Sequence, residues 1–262
     1  MVEADSELFS LERVDAVRIR DRSDVRRAAE ALNAIALAYD MRAAPAHDIA
    51  DKRTPVDAEG NILADEVFGW PSEEKVWWRN TRIALDSPLT SACRFESEPF
   101  WVNAKGFSTR QPNPYLASID IAKFEIRAMT KAAIVVPVHL PFGQIGAVSF
   151  NPLDRTITDL EEQYLALGDA FGLYARTFIS SYVHATSSLQ ALPPGSRLSK
   201  REVECLRWAA IGKTDMEISM IMSRSRATVR FHIHNASLKL NAVNRSQTVF
   251  KAAQLGYISL TR

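Results

Sequence analysis

Only two cysteines, Cys93 and Cys205, occur in the 262 residues, and neither belongs to a CxxC pair. Two isolated thiols make neither a disulfide framework nor a zinc ribbon, and their scarcity suits a reducing compartment. No apolar run approaches the roughly 20 residues a membrane helix needs. The opening MVEADSELFSLERVD lacks the basic and apolar segments of a secretory signal, so the expected compartment is the cytoplasm. Glycine is sparse at ten residues, and no glycine-rich phosphate loop, G-x-S-x-G elbow, HExxH or Cys–His neighbourhood is found. His47, His139 and His184 show no metal-ligand spacing, so neither a metal nor a cofactor is expected. An excess of one charge is missing too: 32 basic residues face 31 acidic ones. Taken as a total, that balance argues against a polyanionic partner.

The total hides a seam. Ser187 to Ser196 contains Pro193-Pro194-Gly195, which no continuous helix crosses. The expected organisation is therefore a large domain over 1–187, a linker over 188–197 and a small domain over 198–262. Residues 198–262 hold eleven Lys/Arg against four Asp/Glu, a net +7, which leaves −6 for the rest. A sum over unlike parts has concealed a basic module joined to an acidic one.

The basic module is punctuated like a short helical bundle. Ser199 with Glu202 and Thr214 with Glu217 have capping-box spacing, and Ser225 is a third N-cap candidate. Gly212, Asn241 and Gly256 sit where helices stop. These signals predict four helices near 200–211, 215–222, 226–240 and 246–255, each with one apolar face. The turn Met222-Ser223-Arg224-Ser225 has the length of a helix-turn-helix, which makes the third helix the one offered to a DNA major groove.

The run LSKREVECLRWAAIGKTDMEISMIMSRSRATVRFHIHNASLKLNAVNRSQTVFKAAQLGYI closely resembles the LuxR-type helix-turn-helix. The likeness rests on REVECL in the first helix, the glycine before the second, MEIS, the S-x-x-TV-x-x-H entry to the third, the KL near its end and NRSQ before the fourth. It implies a sequence-specific regulator bound to double-stranded DNA at two half-sites as a homodimer, with Arg230 and His234 reading bases. It further implies that Arg224, Arg226, Thr228, Lys239 and Arg245 hold phosphates, which position without reading sequence.

In the acidic part, residues 22–39 predict a helix with Ser23 as a possible N-cap. Residues 41–69 look strand- and loop-like, with a turn at Asp57–Asn61. Pro71-Ser72-Glu73-Glu74 opens a helix through Trp77 and Trp78, and another is expected over 116–130. AIVVPVHLPFGQIGAVSF predicts two strands joined at Pro141–Gln144. Last comes a long helix over 159–182, with Thr158 and Glu161 as a capping box and aromatic residues beyond what one core face needs, which makes it the candidate for dimerisation. The expected fold class is α+β: an N-terminal α/β/α sandwich around an antiparallel sheet and a C-terminal all-α four-helix domain.

The hairpin string and the LDSPL segment followed by Trp101 resemble the autoinducer-binding domain that accompanies this helix-turn-helix in quorum-sensing regulators. The resemblance implies a small-molecule pocket, with Asp86 accepting from a ligand amide N–H and Trp77, Trp101 and Ser149 lining it. Glu73 stands where the family has a tryptophan, Trp77 where it has a tyrosine, and Ser87 separates Asp86 from Pro88. These departures imply an acyl-homoserine lactone or a related, non-standard amphiphile. By residue chemistry alone the tryptophans also read as core and Asp86 as a turn or helix cap. Two other functions stay open at this point: an orphan regulator whose pocket is filled by its own side chains, and, more weakly, an enzyme-like domain tethered to DNA.

Overall fold

A computed structural model of the chain describes residues 10–50, 54–70, 85–186 and 197–259. The chain divides into two compact units, with the division falling between Thr186 and Arg197. The expected linker and the expected Pro71 helix lie outside the described residues. Among the described residues no helix is long and apolar enough to cross a membrane.

The first unit is built on a five-stranded antiparallel sheet. Its strands are β1 (Met41–Ala46), β2 (Phe100–Asn103), β3 (Gly106–Ser108), β4 (Ala132–His139) and β5 (Ile145–Pro152), in the order β1-β5-β4-β2-β3. The predicted hairpin is the centre of the sheet, with Val135 opposite Ser149 and Val136 opposite Val148. The short strands β2 and β3 carry no alternation long enough to be seen in sequence; β2 is recruited by pairing Phe100 with Val135 and Trp101 with Ile134.

Strand alternation sends successive side chains to opposite faces. One face, with Met41, Ala43, Ile134, Val136, Val148 and Phe150, packs on α1 (Leu11–Ala16), α2 (Val25–Leu37) and the long α6 (Glu161–Thr186). There Phe150 stacks on Phe171 with ring centroids 4.0 Å apart. The other face, with Phe100, Val102, Val135 and Ala147, lies under α4 (Pro88–Ala92) and α5 (Phe124–Ala128). A four-residue helix, α3 (Leu63–Glu66), precedes α4. The result is the expected sandwich, helices on both faces of an antiparallel sheet.

Three local expectations are corrected. The helix expected over 116–130 is a 3₁₀ turn at Leu116–Ser118 followed by the five residues of α5, which is bounded by left-handed Lys123 and Met129. The Asp120 carboxylate takes the Ala122 N–H at 2.9 Å, and Arg127 ties the Asp120 and Ala122 carbonyls, so side chains compete away the helical bonds. Asp21, rather than Ser23, caps the entry to α2, accepting from the Ser23 N–H at 2.8 Å. At α6 it is Asp159, not Thr158, that accepts from the Glu161 N–H, at 2.9 Å.

The second unit is four helices: α7 (Lys200–Ala210), α8 (Asp215–Ile221), α9 (Arg226–Lys239) and α10 (Arg245–Gln254). Both capping boxes are formed, and Ser225 accepts from the Thr228 N–H. Gly212, Asn241 and Gly256 adopt positive φ at the three expected stops. Its core falls in two patches. One is Cys205, Ile218, Val229 and Ile233; the other joins Leu198, Leu206, Ala236, Leu240, Ala252 and Ile258.

Candidate functional site

Between the sheet and α4 lies an apolar cleft whose empty space, part of it open solvent, comes to about 690 Å³. Its floor comes from two neighbouring strands. On β1 the residues that alternate away from the core, Ala44 and Ala46, stand opposite Ser149 and Ala147 of β5, and Val135 extends the floor onto β4. Small residues at paired positions keep this floor low. Leu89, Thr90 and Cys93 form the roof, while Ile49, Ala128, Met129 and Trp70 close the sides. Trp70 is fixed by its indole N–H, which donates to the Ala43 carbonyl at 2.8 Å.

Three polar side chains enter this lining, Thr90, Ser149 and Asn151. The Asn151 amide donates to the Ser149 hydroxyl at 3.1 Å. With its oxygen already accepting, the Ser149 O–H is set to donate to a carbonyl above the floor. Cys93 adds no reactivity: burial pushes its thiol up to about 12, so it stays protonated and serves as a small wall residue.

The ligand residues expected from sequence separate. Ser149 lines the cleft. Trp101 is buried on the opposite face of the sheet, in the core shared with α6, because strand alternation turns it away from Phe100 and Val102. Asp86 is exposed; its carboxylate lies 3.4 Å from Arg127, whose Nε also donates to the Asp86 carbonyl. Asp86 precedes the N-cap of α4 and its carboxylate faces solvent rather than the cleft. Trp77 lies outside the described residues. Trp70, Thr90 and Asn151 were missed. Asn151 was accessible in principle, since the period that puts Ser149 on one face of β5 puts Asn151 there too.

A second feature is the outer surface of α9. Val229, Ile233 and Ala236 are buried, so helical geometry turns Arg226, Arg230 and His234 outward at four-residue steps. All three are exposed, with Arg224 exposed in the preceding turn. Ser225 holds the start of the helix, its hydroxyl accepting from the Thr228 N–H at 3.0 Å and bonded to the Thr228 hydroxyl at 2.8 Å. Arg230 is loosely oriented by Asp215, Nε to carboxylate 3.9 Å, with its side chain 69% exposed.

Two of the expected phosphate ligands have internal work instead. The Lys239 ammonium donates to both oxygens of buried Glu202, at 2.9 and 2.8 Å, tying the end of α9 to the start of α7. Arg245 donates to the Asp215 carboxylate and to the Lys213 carbonyl, joining α10 to the start of α8. Sequence reasoning overlooked Asp215, which orients both Arg245 and Arg230. The available signal was its scarcity, one of four acids in a segment of net charge +7.

Residues 196–252 match the family described as bacterial regulatory proteins, luxR family. The chain is 43% identical over 196 residues to the HTH-type quorum sensing-dependent transcriptional regulator RpaR of Rhodopseudomonas palustris, covering 73% of this chain and 74% of RpaR. It is 36% identical over 129 residues to the transcriptional activator protein VanR of Vibrio anguillarum, where the match spans 49% of this chain and about half, 52%, of VanR. Among solved structures, Escherichia coli SdiA aligns with 21% identity and a TM-score of 0.48, covering 95% of this chain and 96% of SdiA.

Proposed function

The chain belongs to the LuxR family of bacterial regulatory proteins, and on that premise we propose that it is a transcriptional regulator that reads double-stranded DNA through α9 and senses a small amphiphile in the sheet-side cleft. The family is one of regulators, not enzymes. The observation that carries the DNA half is the face of α9: Arg230 and His234 are exposed on one side of the helix while Val229 and Ile233 are buried, in a segment of net charge +7. An arginine there reaches guanine O6 and N7 in a bidentate pair, while Arg224, Arg226 and Thr228 take phosphates. Lys239 and Arg245 leave that list because their donors hold the bundle together.

The sensing half is supported by the open apolar cleft with the Ser149 hydroxyl in its floor, which favours a bound guest over a self-filled pocket. With the Asp86 carboxylate turned to solvent, polar recognition passes to Ser149 and Asn151. Binding would act by mass action on the folded or dimeric state, about 2.7 kcal/mol at a hundredfold excess over Kd. The dimer would form along the outer stripe of α6, where Leu165 and Leu173 are exposed two turns apart, and would place two recognition helices at paired half-sites.

The test is mass spectrometry of small molecules extracted from the full-length protein expressed in its native host, beside an Ala44→Phe variant that fills the cleft. The expected result is an amphiphile carried by the wild type and absent from the variant, with DNA binding dependent on it. A wild type that carries nothing and binds DNA undiminished defeats the sensing half and leaves the DNA half standing.

A further inference from the structure

The cleft does not end at Trp70. A second, polar recess of about 760 Å³, part of it open to solvent, shares Trp70, Met129 and Asn151 with the apolar cleft. The floor beneath both is continuous. Along β1 and β5 the facing pairs run Ala46 with Ala147, Ala44 with Ser149, then Arg42 with Asn151, passing from apolar through hydroxyl to cationic. Same-face pairs two residues apart are separated by roughly 6.6 Å, so this polarity gradient extends over about 13 Å.

Arg42 is placed to receive something. Its guanidinium carbon lies 5.3 Å from the centroid of the Trp70 ring, and among the described residues it makes no ion pair or hydrogen bond. A guanidinium stacked on an indole keeps its in-plane N–H donors available, and their fork matches a carboxylate. Lys131 and Arg155 line the same recess. Two acids accompany them, Glu125 and Asp154. The Asp154 carboxylate is already occupied, accepting from the Thr156 N–H at 2.8 Å and from its hydroxyl at 2.7 Å.

We propose that the sensed molecule is an amphiphile with a carboxylate head, whose apolar body lies over the alanine floor and whose carboxylate passes Trp70 to be taken by Arg42 and Lys131. This rests on the sensing function proposed above and narrows it from amphiphiles in general to anionic ones. A neutral lactone head leaves the Arg42 fork without an acceptor. A carboxylate at the same distance along the floor forms charge-assisted bonds with it, which are roughly twice as strong as neutral ones.

A matched pair of probes isolates the charge: N-octanoylhomoserine and N-octanoylhomoserine lactone, which differ by hydrolysis of one ester. Titration calorimetry on the full-length protein, in a mildly acidic buffer where the lactone persists, is expected to give at least about tenfold tighter binding of the open acid. Arg42→Gln should abolish that preference and Lys131→Gln should reduce it, both with lactone affinity held within about twofold. Arg42→Lys, which retains the charge without the fork, should restore part of the preference, showing that loss in the glutamine variant is not a folding defect. Equal or tighter binding of the lactone by the wild type, a preference that survives Arg42→Gln, or binding of neither probe overturns the proposal. None of these outcomes touches the sensing function itself, which fails only if the extraction experiment finds the native protein empty.

Discussion

At the scale of single residues, the cations of the basic unit divide by what they already hold. Arg226 and Arg230 are exposed, whereas the Lys239 ammonium is bound to a glutamate whose side chain is only 4% exposed. Arg226→Ala should therefore leave the melting temperature unchanged, weaken DNA binding evenly across sequences, and flatten the salt dependence by about 0.9 in log–log slope; salt titrations by fluorescence anisotropy measure this. Lys239→Met should instead strip a buried carboxylate of its donor and cost about 1–3 kcal/mol in thermal or urea unfolding. Acid dependence separates the two roles further. Burial alone would raise the Glu202 carboxyl, but the bonds from Lys239 and Ser199 together outweigh it and hold the group below its ordinary value. A depressed carboxyl adds stability that is complete above the unfolded-state value, about 4.3, and is lost as pH falls through the lower folded value. Glu217, depressed by the Thr214 bonds, acts in the same direction. Unfolding followed from neutral pH into acid should show stability falling in that window, more shallowly for Lys239→Met than for wild type.

At the scale of elements, what sequence revealed depended on whether the deciding contacts are local. Capping boxes and left-handed stops are settled within four residues, so all four helices of the second unit, and their ends to within a residue or two, were readable. The central hairpin was readable for the same reason. Strands β2 and β3 were not, since three or four residues carry no period and their pairing partners lie far along the chain. The helix expected over 116–130 failed because Arg127 and Asp120 settle that segment by side-chain bonds that no periodicity records. The same logic governs the cleft. Ser149, expected from the family resemblance, sits in the locally readable hairpin, while the carboxylate of Asp86 and the face of Trp101 are set by neighbours distant in sequence.

Two elements carry predictions of their own. Gly146 of β5 lies so close to the layer above that an added Cβ would stand 2.6 Å from Ile179 Cγ2 and 3.0 Å from the Ala46 carbonyl. Gly146→Ala should push α6 from the sheet and lower stability by about 1–3 kcal/mol in denaturant unfolding. On the outer stripe of α6, the paired change Leu165→Glu with Leu173→Glu should shift the protein toward monomer in sedimentation velocity with helical circular dichroism retained. An unchanged sedimentation coefficient would overturn the proposed dimer along α6.

At the scale of the whole molecule, the near balance of charges is a consequence of two opposite parts, +7 over residues 198–262 and −6 over the remainder. A basic unit is drawn to a polyanion and an acidic one is not, so electrostatics alone favour the second unit as the one to meet DNA. Selection among DNA sequences needs base contacts, and Arg230 is the residue proposed to make them. The most direct test is therefore sequence enrichment from a random duplex pool at fixed salt, comparing wild type with Arg230→Ala. The account predicts that wild type enriches a defined sequence, and that Arg230→Ala retains general DNA affinity while losing preference at one base pair of each half-site, a discrimination of about 1–3 kcal/mol. Enrichment of the same sequence to the same degree by both proteins would contradict it.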